Sequence, residues 1–175
     1  MRDFSRLVIL GVAVVLSAQT FAQGNARGNI GESPYDVIRY WAEPFQEFGF
    51  GFGGNSGVWA ESPDRIIIAQ RGETHLPYPL PDDFHGFAGE LGINVLSDTN
   101  RRYWQNCLYV VNGDGEPIEI WDHLDYLCEG ADGPGPHRVR ISPYDPEQRI
   151  WLIHETFHQI YVNPFIKTLK KMIFK

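Results

Sequence analysis

Residues 154–158 read His154-Glu155-Thr156-Phe157-His158, an H-E-x-x-H pattern. On a helix, histidines four apart share one face and hold zinc, and the glutamate between them serves as the general base of a metallopeptidase. The surrounding stretch, RIWLIHETFHQIYV over 149–162, allows two readings. Ile150, Ile153, Phe157 and Ile160 fit a helical stripe. Against a helix stands the content of Ile, Trp, Phe, Tyr and Val, which favours strands. Turn residues also crowd both sides, from Ser142 to Pro146 before and at Asn163-Pro164 after. A catalytic zinc usually takes three protein ligands, and no His, Cys, Asp or Glu comes after His158 in the sequence. The preferred expectation is two strands, 149–153 and 159–162, joined by a turn at 155–158. The metallopeptidase is the lesser alternative.

The two cysteines, Cys107 and Cys128, lack C-x-x-C spacing and carry no metal signal. A disulfide and two separate buried thiols fit equally, because sequence does not place their Cα atoms. The start of the chain points to an oxidising compartment, where disulfides form. Arg2 and Arg6 flank the onset of an apolar run, LVILGVAVVLSA over 7–18, and Thr20-Phe21-Ala22 offers small residues for a signal peptidase. The run is short for a membrane span, so 1–22 is expected to be a cleaved export signal, with an uncleaved anchor as the rival. The remaining chain is long enough for one modest domain. Net charge is −7, and loss of Arg2, Asp3 and Arg6 makes it −8. An acidic surface repels phosphate backbones, so no nucleic-acid partner is expected.

The elements that must position these residues are short strands cut by Gly, Pro, Asn and Asp. Apolar or alternating runs fall at 57–61, 65–70, 107–111, 117–121, 138–141, 149–153 and 159–162. The run at 65–70, rich in Ile, suits a strand buried on both faces. Asn112-Gly113-Asp114-Gly115 is a hairpin signal, and 72–106 reads as a long Pro/Gly-rich loop. The pieces repeat. Gly57-Val58, Ser62-Pro63 and Arg65-Ile66 recur as Arg138-Val139, Ser142-Pro143 and Arg149-Ile150, about 80 residues on. Strand, turn, strand, loop, strand, turn, strand is the blade unit of a β-propeller.

At this level the residues resemble a family. The segment from Pro136-His137-Arg138-Val139 through Arg149-Ile150-Trp151-Leu152-Ile153 to His158-Gln159-Ile160-Tyr161-Val162 looks like one NHL-repeat blade. The segment from Phe52-Gly53-Gly54-Asn55 to Ile68-Ala69-Gln70-Arg71-Gly72 looks like the blade before it. The pair is similar to the start of the six-bladed propellers of the peptidylglycine amidating-lyase type and their exported bacterial relatives. The resemblance implies an all-β fold and a channel that holds zinc and calcium. It also implies an arginine and a tyrosine that process a C-terminal α-hydroxyglycine and release glyoxylate. Arg71 falls on the catalytic arginine, whose guanidinium would hold a substrate carboxylate; an arginine tied to a nearby acid is the alternative. His137 falls on the first zinc histidine, and a satisfied, non-ligand histidine is the alternative. The backbone carbonyls of Val58 and Val139 fall on calcium ligands.

The sequence also departs from the family. His154 stands where these blades usually carry an acid, and His158 matches a blade-turn histidine that does not bind metal. The other zinc histidines and the catalytic tyrosine belong to later blades with no counterpart here. The resulting organisation is an export signal at 1–22, an extension at 23–48, an incomplete propeller of about two blades at 49–162 and a basic tail at 163–175. The second blade is expected to lack its outer strand. In the tail Ile166, Leu169 and Ile173 could form one face of a membrane-surface helix, and an out-of-frame or truncated end is the preferred reading. Full length, the protein is expected to be lyase-like and, as this chain, inactive. The rival is a non-enzymatic platform on which loops such as 72–106 hold a peptide or glycan.

Overall fold

The computed structural model describes residues 36–163 and 170–173, with Asn163 and the last four described through their backbone. The expected export signal, the first part of the extension and residues 164–169, 174 and 175 lie outside the described residues. The chain divides into Met1–Ile38 and Arg39–Lys175, and every described strand belongs to the second unit. In order these are β1 (Phe50–Phe52), β2 (Asn55–Ser62), β3 (Arg65–Gln70), β4 (Glu73–His75), β5 (Arg102–Tyr103), β6 (Leu108–Val111), β7 (Pro117–Ile120), β8 (Pro136–Ile141), β9 (Ile150–His154), β10 (Gln159–Asn163) and β11 (Lys170–Ile173). One short helix, α1 (Ile93–Ser97), and three 3₁₀ turns complete the described elements. No described helix is long and apolar enough to cross a membrane.

The fold is all-β. Two four-stranded sheets, β2-β3-β6-β7 and β8-β9-β10-β11, and a three-stranded sheet, β1-β4-β5, are antiparallel throughout. The strands expected from sequence are all present, each within a residue or two of its expected ends. Two features differ from expectation. The 72–106 segment is not a bare loop: it supplies β4, β5 and α1, with β4 paired to β1 and β5 to β4. The second four-stranded sheet has a fourth strand, β11, paired with β10 from Gln159↔Ile173 to Val162↔Lys170. Lys170–Ile173 is therefore extended and not helical.

Local chemistry explains the turns. Asn112 accepts the amides of Asp114 and Glu116 on its side-chain oxygen, both at 3.0 Å, an Asx arrangement that substitutes for backbone pairing. Asp145 closes the β8–β9 turn by accepting the Glu147 amide and the Arg149 guanidinium. In the β9–β10 turn His158 takes a left-handed φ of 49° and donates its amide to the Glu155 carbonyl.

The two four-stranded sheets share one apolar cluster. Ile67, Ala69, Leu108 and Val110 of the first meet Val139, Ile141, Ile150, Leu152 and Tyr161 of the second, and Trp121, Leu124 and Leu127 close one side. Strands β2 and β8 lie against each other, and Arg140 stacks its guanidinium over Trp59, 5.4 Å from the ring centroid. The far face of the first sheet is covered: Phe52, Ile68, Tyr109 and Val111 pack with Trp41 and Phe45. The far face of the second sheet carries a groove of about 280 Å³ lined by Arg140, Ser142, Trp151, Ile153 and Ile160. Alternation along β8 sends Val139 and Ile141 inward and Arg138 and Arg140 outward, as a half-buried strand requires.

Candidate functional site

The residues with the best claim to function meet where β3, β8 and the β9–β10 turn converge. Arg71 follows β3, and its amide is held by the Gly54 carbonyl at 2.8 Å. Gly72 then takes a φ of +69°, the left-handed region glycine tolerates, and turns the chain away. His137 is the second residue of β8. Both side chains reach Glu155: Arg71 Nη2 lies 3.3 Å and His137 Nδ1 3.6 Å from the same oxygen, Oε2. The Glu155 amide donates to the Gly135 carbonyl at 2.9 Å, which fixes the turn against the loop that leads into β8. Arg102 stands near. It donates to the Gly133 carbonyl at 2.7 Å and lies over Trp104. Burial, and then the charge of Arg71, lower its pKa.

The three side chains are 33 % (Arg71), 43 % (Glu155) and 48 % (His137) exposed, so the cluster is open to a ligand and its ion pair is partly screened. The Arg71 Nε is nonetheless buried without a hydrogen-bond partner. The arm that meets Glu155 can exchange this half-exposed acid for another carboxylate.

Val58 and Val139 sit on neighbouring strands, with register partners Ile68 and Leu152. Val58 is exposed and Val139 is fully buried. Ser56 ties the seam by donating to the Pro136 carbonyl at 2.6 Å. These residues alone do not make the implied metal sites. His137 and Glu155 supply two donors, and among the described residues no group of three His, Cys, Asp or Glu could hold a metal ion. A catalytic zinc takes three protein ligands and calcium takes six to eight oxygens, far more than the two valine carbonyls.

The H-E-x-x-H pattern falls on the end of β9 and the turn after it. His154 and His158 therefore share no helical face. His154 is fully buried, accepts the Phe157 amide on Nδ1 at 3.3 Å and stacks on the Phe157 ring. That places the proton of the neutral ring on Nε2.

Three acids have roles that the sequence pattern does not signal. In sequence Glu155 reads as a peptidase base or a turn residue, yet its partners lie 84 and 18 positions away. Glu73 is fully buried and accepts from Gln105 at 2.5 Å and Asn106 at 2.8 Å. Asp125 accepts the amides of Asn106 and Cys107 at 2.6 and 2.8 Å. No alternation marks these positions, because their partners come from distant segments of the chain. Burial raises the pKa of both Glu73 and Asp125 against these hydrogen bonds. A carboxyl whose folded pKa lies above its unfolded value binds its proton more tightly when folded. It stabilises most below the unfolded value, and that stability is lost as pH rises through the folded one. The melting temperature is thus expected to fall as pH rises from the carboxylate range toward neutral, and Glu73→Gln to flatten that slope. Thermal melts across the range check this; an unchanged slope in the variant would remove Glu73 from the account.

No protein-family profile, no curated protein and no solved structure matches the chain.

Proposed function

We propose that the chain is two neighbouring blades of an exported propeller of the amidating-lyase type, and that the Arg71–Glu155–His137 cluster faces its ligand. The observation that carries this reading is the meeting of Arg71, just past β3 of the first four-stranded sheet, and His137, in β8 of the second, on a single carboxylate oxygen. The family resemblance singles out the same two residues. Supporting it are two consecutive four-stranded antiparallel sheets whose first strands, β2 and β8, lie together. In a propeller the first strand of each blade lines the channel.

The ligand is a peptide or small molecule that ends in a carboxylate. It displaces Glu155 from Arg71 and gains charge-assisted hydrogen bonds to the exposed end of the guanidinium. With only two donors at His137 and Glu155, zinc would need ligands from further blades. This chain is expected to bind without turnover. In calorimetric titration with a peptide ending in glycine, Arg71→Ala should weaken binding about 10–100-fold, as loss of hydrogen bonds to a charged group does. Glu155→Gln should tighten it about two- to fivefold, the worth of a half-exposed ion pair. Arg71→Ala with unchanged affinity sinks the proposal.

The donor count favours a second reading, a binding platform without metal. Metal analysis separates the two. Stoichiometric zinc lost in His137→Ala supports the lyase-like site, and unchanged metal content with intact ligand binding supports the platform.

A further inference from the structure

Cys107 and Cys128 are 21 positions apart, but one residue holds both backbones. The Asp125 carboxylate accepts the Cys107 amide at 2.8 Å, and the Asp125 carbonyl accepts the Cys128 amide at 2.8 Å. Both side chains enter the apolar cluster between the two four-stranded sheets, and both thiols are free and buried. The two thiols are close enough to perturb each other, Cys107 upward and Cys128 downward. His154 lies beside Cys128, and its Nε2 is buried with no hydrogen-bond partner. Two sulfurs and an imidazole thus lie together in the buried interior, with Asp125 beside Cys107 and Tyr161 beside Cys128 and His154.

We propose that Cys107 and Cys128 form an intrachain disulfide, with Cys128 as the sulfur that attacks first and His154 as the group that orients it. The bridge would clasp the 3₁₀ turn Asp122–Leu127 to the start of β6. The chemistry is exchange with a disulfide-bearing oxidant. The Cys128 thiolate attacks one oxidant sulfur, the oxidant S–S bond breaks, and the first oxidant thiolate leaves and takes up a proton. Cys107 then gives up its proton, and its thiolate attacks the Cys128 sulfur and expels the second oxidant thiolate. Two protein thiols are oxidised and one disulfide is reduced to two thiols.

The local electrostatics agree with this order. The neighbouring Cys107 thiol, and then the imidazole of His154, bring the Cys128 thiol down to about 7 against the opposing effect of burial, whereas Cys128 and burial push Cys107 up. The thiolate is the attacking species. Because both sulfurs are buried in the folded chain, exchange requires a local opening that admits the oxidant while Cys128 keeps its place beside Cys107 and His154. The bridge stands or falls independently of the ligand site at Arg71.

The test is thiol counting on the full chain refolded with glutathione and glutathione disulfide. Acid quench and alkylation in denaturant, read by intact mass, should find no alkylated cysteine without reductant and two after reduction. Digestion without reductant should give the 107 and 128 peptides as one linked species. Two alkylatable cysteines in the oxidised sample overturn the bridge. Single variants, refolded and then exposed to glutathione disulfide, test the order. Cys107→Ser should gather the glutathione adduct on Cys128 severalfold faster than Cys128→Ser gathers it on Cys107, and the reverse order overturns the role of Cys128. Counting on the unsubstituted chain decides the bridge even if a variant fails to fold.

Discussion

Ile67→Ala is expected to destabilise the fold by about 2–5 kcal/mol, the range for losing a buried Ile and leaving a partly relaxed cavity. Ile67 is fully buried, because its face of β3 is covered by the second four-stranded sheet. The internal repeat supplies a matched control. Ile66 corresponds to Ile150, so Ile67 and Ala69 correspond to Trp151 and Ile153. The first pair lies under a neighbouring sheet, and the second lines the open groove on the far face. Ile153 is 37 % exposed, and Ile153→Ala is expected to cost about 1 kcal/mol or less. Urea titration with an unchanged m-value measures both. Equal costs would mean that something covers the far face in solution. A cost below about 1 kcal/mol for Ile67→Ala would mean that the sheets do not pack as described.

Gly57→Val is expected to cost about 3 kcal/mol, at the upper end for overpacking. A Cβ at Gly57 would lie 2.9 Å from the Arg138 Cα and 3.0 Å from the Val139 nitrogen. Both are backbone atoms, so relief requires β8 to move as a whole. His137 would move with it and leave Glu155. Gly54→Ala is the control. Its Cβ would meet only the Arg71 side chain, at 3.6 Å, an ordinary contact. Circular-dichroism melts of the two variants should separate clearly, and matched melts would argue against a close β2–β8 seam.

The parts of this fold that alternate or repeat are legible in the sequence. The Ile run of β3, the Arg/apolar alternation of β8 and the turn at 155–158 are each readable from side-chain period and turn chemistry. Strands β1, β4 and β5 are not. They span two or three residues, too few for a period of two to register. The candidate site divides the same way. Arg71 and His137 are marked by resemblance, but Glu155 is masked by a motif that promises different chemistry. Its role depends on a turn that folds back on residues from another sheet, and such a contact leaves no local pattern. Asn55 shows the same limit: its side-chain oxygen meets the Tyr109 hydroxyl at 3.3 Å, between strands that are not paired to each other.

The excursion between β3 and β6 has a kinetic consequence. Strands β8, β9 and β10 succeed one another through short turns, so each pairing closes a small loop. The first four-stranded sheet must instead bring β6 back to β3 across residues 71–107, and closing a longer loop costs more chain entropy before any contact repays it. The later half of the chain is therefore expected to acquire order first and to wait with its apolar surfaces bare. Pulse-labelled hydrogen exchange should find amides of Ile150–His154 protected before those of Arg65–Gln70. The vulnerable interval in the life of this protein is then the delay before its own N-terminal half arrives, when solvent and neighbouring chains compete for the same surface.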